Sequence, residues 1–106
     1  MGDPNRAIAA FERRLILLQA WGEILKARLH LLEDNPGNAR QALALARANL
    51  ERVILLSPEP EAEALIAIRE RLDAADTAIE ERPFVAMNEL EIIWRDLDTF
   101  ITSEKR

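Results

Sequence analysis

The feature of this sequence that most constrains its fold is an apolar stripe that runs unbroken from Ile8 to Leu32. Its members recur at spacings of three and four residues, the period of one face of an α-helix. We call it the leucine stripe, and it consists of Ile8, Phe11, Leu15, Leu18, Gly22, Leu25, Leu29 and Leu32. A helix with such a face needs other helices to cover it. The sequence therefore predicts that the leucine stripe is the buried face of a long first helix.

Three further helices are predicted behind it. Asn38 is a good N-cap after the turn at Pro36-Gly37, Ser57-Pro58 is typical of a helix start, and Pro83 interrupts the last helical pattern. The expected helices cover about 7–33, 39–56, 58–81 and 84–101. Because short connections make neighbouring helices antiparallel, we expect an all-α, up-down bundle of four helices in a single domain, 1–106. If Pro83 only kinks the chain, the last two helices merge and the bundle has three.

Each of the three later helices carries an apolar stripe of its own at helical spacing. The expected inward residues are Ala39, Leu43, Ala46, Leu50 and Val53 in the second helix, and Leu65, Ile68, Leu72, Ala75 and Ile79 in the third. In the fourth they are Met87, Leu90, Ile93 or Trp94, Leu97, and Phe100 or Ile101. The apolar stripe of the second helix begins with small residues, which allow a neighbouring helix to come close. We expect that contact at Gly22, so that Gly22→Leu would destabilise the bundle by roughly 1–3 kcal/mol through overpacking.

The chain is acidic, with a net charge of −5, and the charge is unevenly placed. Residues 1–53 carry a net +2 and residues 54–106 a net −7. An acidic half argues against nucleic acid as a partner and predicts complementary charges along the seams between the two halves. The longest uncharged run, Leu15 to Gly22, is far shorter than the roughly 20 residues of a membrane-spanning helix, so we expect no direct membrane insertion.

No set of residues predicts a reaction, a cofactor or a metal site. The chain has no cysteine and a single histidine, His30, and histidine metal sites need further ligands at suitable spacing. Asp73, Asp76 and Glu80 share one helix face and could bind a hard cation, but such faces are usually solvated, and Arg69 is placed to pair with Asp73. The leading interpretation is non-enzymatic. A small-molecule or metal-binding bundle, with its ligand near this acidic face or against Trp94, is the alternative.

Two tryptophans stand out in a chain with few aromatic residues. Trp21 belongs to a second stripe on the first helix, made of Leu17, Trp21 and Ile24, with Arg14 and Arg28 at its two ends and Leu31 beyond. A tryptophan at the edge of a core can mark a surface for a partner, or can be half-buried with its N–H in water. The candidate partner contacts are Trp21, Ile24, Arg28 and Trp94. A wide apolar arc suits either several neighbouring helices or a dimer contact.

The order of motifs resembles the helical domain of HemX-type proteins, the membrane-anchored uroporphyrinogen-III methyltransferase-like family, and is similar to the helical part of mitofilin-type proteins. The residues that carry the resemblance run from Leu31-Leu32-Glu33-Asp34-Asn35 and Asn38-Ala39-x-x-Ala42-Leu43-x-x-Ala46 to Leu65-x-x-Ile68-Arg69-x-x-Leu72, Ala74-Ala75-Asp76, and Leu90, Leu97 and Ile101. It implies a fragment of a larger, membrane-anchored bacterial protein, and it carries over no catalytic residue.

The sequence thus predicts a protein-interaction or scaffolding domain. Its partner would be another protein or a second copy, with a homodimer among the candidates. Its compartment is unknown.

Overall fold

The structure is a computed structural model that describes residues 4–104; the outermost residues of the predicted domain, 1–3 and 105–106, lie outside the described residues. It contains four helices, α1 (Pro4–Leu32), α2 (Pro36–Leu56), α3 (Glu61–Ala78) and α4 (Pro83–Glu104), and no strand occurs in the described part of the chain. Neighbours along the chain pack together and α1 also contacts α4, which closes a ring of four helices. The predicted all-α helical bundle is confirmed.

Pro83 divides the chain rather than bending it. α3 ends at Ala78, and α4 begins at Pro83 itself. Proline is tolerated at the first position of a helix because the N–H that it lacks would have no partner within the helix there. The open alternative of three helices is therefore wrong.

The helix starts differ from the predicted ones by one to three residues. Asn35, not Asn38, caps α2: its side chain accepts a hydrogen bond from the backbone N–H of Asn38 over 3.2 Å. Ser57 does not start α3 but ends α2, where its hydroxyl donates to the carbonyl oxygen of Val53 over 2.6 Å. α3 begins later, at Glu61, with acidic residues in its first turn, where the helix dipole favours them.

The core is entirely apolar among the described residues. Every residue predicted to face inward from α2 is buried, as is every one predicted for the third helix, including Ile79 just beyond the end of α3. In α4 the fully buried positions include Leu90, Ile93 and Leu97, while Met87, Trp94 and Phe100 are partly buried. The single apolar stripe of each of these helices predicted its buried face correctly.

The first helix contradicts the prediction. Its buried residues are Ile16, Leu17, Ala20, Ile24 and Ala27, which lie on the side of α1 that faces α2 and α4. The leucine stripe lies on the opposite side of α1. Leu15 belongs to it and Leu17 to the core, and two residues that are two positions apart point in nearly opposite directions around a helix. The core face of α1 therefore includes Leu17 and Ile24 of the second stripe and no residue of the leucine stripe.

Candidate functional site

The leucine stripe forms an exposed apolar strip along the length of α1. All seven of its large side chains are exposed, from 37% for Leu25 to 71% for Leu32. Phe11, at 64%, is exposed almost as fully as Leu32. Isolated apolar side chains on a surface are ordinary, but a contiguous strip of this kind marks an interaction site or an aggregation liability.

Gly22 lies in the middle of this strip and makes no close contact. A Cβ atom placed on it would meet no heavy atom within 4 Å. The predicted close packing of α2 against Gly22 is therefore wrong. The small residues that α1 buries are instead Ala20 and Ala27, and α2, which packs against α1, also buries alanines. Small residues on both helices are the feature of the sequence that could have predicted this contact. On α1 they are the alanines beside the second stripe.

Helix α2 also carries exposed apolar side chains. Leu45 and Leu56 of α2 are also exposed. A shallow groove of about 330 Å³ runs between the two helices and is lined by Glu12, Leu15, Ile16, Gln19 and Arg52. One edge of the leucine stripe therefore borders a groove with both an acidic and a basic side chain.

Three of the four predicted partner contacts form one cluster at the seam between α1 and α4. The rings of Trp21 and Trp94 stack with their centroids 4.9 Å apart and their planes inclined by 23°. The Arg28 guanidinium carbon lies 5.7 Å from the centroid of the Trp94 ring, a cation–π distance. Both indole N–H groups are buried without an acceptor in the described chain. The three side chains therefore stabilise a contact between helices.

The fourth predicted contact was Ile24, and the prediction that it lies on the surface is wrong. Its exposed fraction is 0%, and it belongs to the apolar core. It lies in the same stripe as Trp21, but three positions along the helix turn its side chain further inward.

The predicted acidic face, Asp73, Asp76 and Glu80, forms ion pairs with arginines of α2. Arg47 donates to Asp73 over 2.8 Å and also contacts Glu51, while Arg40 reaches Asp76 and Glu80 over 3.4 and 3.0 Å. Asp73 thus pairs with Arg47 and not, as predicted, with Arg69. The charge complementarity predicted between the two halves of the chain is confirmed at the α2–α3 seam.

These ion pairs raise the pKa values of the two arginines. The hydrogen bond to Asp73 and then its charge raise the pKa of Arg47, and Asp76 acts in the same order on the pKa of Arg40. Both guanidinium groups therefore stay charged throughout the neutral range. Among the described residues, no group of three or more histidine, aspartate or glutamate side chains is arranged to hold a metal ion.

A half-open groove of about 630 Å³ lies at the opposite end of the bundle from the α1–α2 turn. The connection before α3 and the end of α4 supply most of its lining, with Arg13 of α1 at its rim. Its lining includes Pro58, Pro60 and Phe100, together with the charged side chains of Arg13 and Glu61.

None of the helices in the described chain combines the length and the apolar character needed to cross a bilayer. Comparison with known proteins gives no match: no family model, no curated protein and no solved structure matches this chain.

Proposed function

We propose that this protein is a non-enzymatic helical interaction domain and that the leucine stripe is its contact surface. The observation that carries the proposal is the exposure of every large side chain in that stripe on a helix whose other face is already buried in the bundle. α1 therefore has two apolar faces, and the folding of this chain uses only one of them.

The size of the exposed strip supports a specific contact. Its seven large side chains leave roughly 650 Å² of apolar surface in water, which is more than most monomers expose in one patch. At about 25 cal/mol per Å², covering that surface would contribute on the order of 16 kcal/mol before the costs of association are subtracted. A partner that covers only part of the strip can thus bind.

The shape of the strip indicates a helical partner. Residues at alternate spacings of three and four make a straight ridge along a helix, and another amphipathic helix is the element that fits such a ridge. If the resemblance to HemX-type helical domains holds, the contact would serve scaffolding beside a membrane.

Site-specific photo-crosslinking in the cell that makes this protein tests the proposal. A photoreactive residue in place of Leu29 should give a discrete adduct with a protein, because the probe lies within the stripe. The same residue in place of Leu55 of α2, which is 86% exposed, is the control. Adducts that are equal at the two positions, or absent from both, would show that the leucine stripe is not a contact surface.

A further inference from the structure

We propose that the occupant of the leucine stripe is a second copy of this chain, with the two α1 helices antiparallel and crossing near Ala20. The inference rests on the proposed function and names its partner. It is carried by the spacing of the stripe, by the position of Gly22 within it, and by the area that two copies would bury.

The spacing is that of a coiled-coil seam. From Ile8 to Leu32 the steps alternate strictly between three and four residues, which is the heptad pattern of two helices that pack by knobs into holes. The buried face of α1 shows the same spacing, since Leu17, Ala20, Ile24 and Ala27 follow at steps of three, four and three, but it is shorter and two of these residues are alanines. The leucine stripe is thus the longer of the two seams, with seven large side chains, and it is the one that this bundle leaves open.

The register of the stripe complements itself when one copy is reversed. Residues at equal distances on either side of Ala20 then meet in layers across the seam. The layers pair Ile8 with Leu32, Phe11 with Leu29, Leu15 with Leu25, and Leu18 with Gly22, each member from a different copy. Every residue of the stripe finds a counterpart, and none extends beyond the contact.

Gly22 favours the antiparallel orientation over the parallel one. In a parallel pair the two Gly22 residues face each other and leave a gap in the middle of the seam. In the antiparallel pair each Gly22 faces Leu18 of the partner subunit, so a large residue packs against a small one. The open space around Gly22 in the single chain is then filled by that leucine.

The charges along one edge of the contact between the two copies also fit the antiparallel register. Glu12 and Lys26 are exposed and flank the stripe on the same side, and the antiparallel register sets each beside the opposite charge on the other copy. On the other edge Arg14 approaches Arg28 of the partner subunit, which is unfavourable. The Arg28 guanidinium, however, is held over the ring of Trp94, away from the seam.

The area is sufficient for a stable dimer. If both copies cover their stripes, the contact buries roughly 1,300 Å² of apolar surface, above the ~1,000 Å² expected of a specific interface. Because the stripe lies on the side of α1 opposite the core, the two bundles can meet along it without either one opening.

Sedimentation and spin-label distances together test the inference. The purified protein should sediment as a dimer at micromolar concentrations, and Leu29→Glu should raise the dissociation constant at least a hundredfold. Leu55→Glu, the same change at an exposed leucine outside the stripe, should leave it unchanged. Circular dichroism of each variant shows whether the helices persist.

Orientation is read from single nitroxide labels, which the absence of cysteine makes simple. Labels on Gln19→Cys should lie close together in the dimer, whereas labels on Glu33→Cys should lie about 40 Å apart, at 1.5 Å per residue from Ala20. Short distances at both positions would mean a parallel pair and would overturn the inference.

A strict monomer at millimolar concentration would also overturn it. The photo-crosslinking result stands apart from this outcome: an adduct at position 29 with a different protein would keep the proposed function and reject only the second copy.

Discussion

Trp21 and Trp94 stack across the seam between α1 and α4, with 4.9 Å between their ring centroids. This contact fixes the rotation of α1 about its axis. Once Trp21 lies against α4, the residues near it in the second stripe turn toward the core, and the leucine stripe turns toward solvent. The aromatic pair thus belongs to the packing that leaves the leucine stripe open for a partner.

The stack should contribute to stability as a coupled pair. In a double-mutant cycle of Trp21→Ala and Trp94→Ala, we expect a coupling energy of about 1 kcal/mol, typical of aromatic pairs beyond their area burial. Urea unfolding followed by circular dichroism measures it. A cycle of Trp21→Ala with Leu72→Ala, a core residue on α3, should be more nearly additive. Equal coupling in the two cycles would contradict a specific stack.

Replacing Gly22 should stabilise the folded chain. Gly22→Ala is expected to raise the free energy of unfolding by about 0.5–1 kcal/mol, because glycine in a helix interior carries an entropic cost and a Cβ has free space here. Gly37→Ala, in the first turn of α2, is the control and should gain less. Urea unfolding at concentrations below the dimer dissociation constant separates this effect from association. A loss of stability at Gly22 would restore the close packing that the structure rejects.

The cap of α2 should depend on Asn35. Asn35→Ala is expected to lower the free energy of unfolding by about 1 kcal/mol, since it removes the acceptor for the N–H of Asn38. Asn38→Ala should cost less, because the side chain of Asn38 is exposed and only its backbone takes part in the cap. Thermal unfolding of the two variants measures both losses of stability. A larger loss for Asn38→Ala than for Asn35→Ala would place the helix start at Asn38.

The α2–α3 ion pairs should depend on salt and not on pH in the neutral range. Asp73 raises the pKa of Arg47 above its ordinary value, so the stabilisation is present below that ordinary value and is lost only as the pH rises through the raised one. We therefore expect Arg47→Gln to lower the urea midpoint equally at about pH 7 and about pH 10. The loss should shrink in about 1 M NaCl because both partners are partly exposed. A loss that is unchanged by salt would contradict this electrostatic origin.

The edge of the antiparallel dimer can be tested by exchanging charges. Glu12→Lys and Lys26→Glu should each weaken the dimer by roughly threefold to tenfold, and the double variant should recover the affinity, because the exchanged charges meet again. Sedimentation at low salt provides the dissociation constants. Losses that simply add in the double variant would argue against this register.

Most of the fold could be predicted from local pattern. α2 and α3 each carry one apolar stripe, and a helix with a single apolar face has only one way to lie against a core. Pro83 broke the last helical pattern, and a turn was predicted between the first two helices, although Pro36 and Gly37 themselves belong to the first turn of α2. The helix count, the class of fold and nearly all the buried residues of these three helices followed from such signals.

The candidate contacts were harder to predict, because α1 has two apolar faces and hydrophobicity alone does not rank them. The leucine stripe is the longer and more apolar of the two, yet the bundle leaves it exposed. Ala20 and Ala27 are buried on the side that packs in the bundle, and Trp21 stacks on Trp94. The sequence by itself determined that α1 is a helix with two faces to cover. Only the tertiary structure decided which face the bundle covers, because that choice depends on how well the side chains of separate helices fit together and not on the periodicity of one.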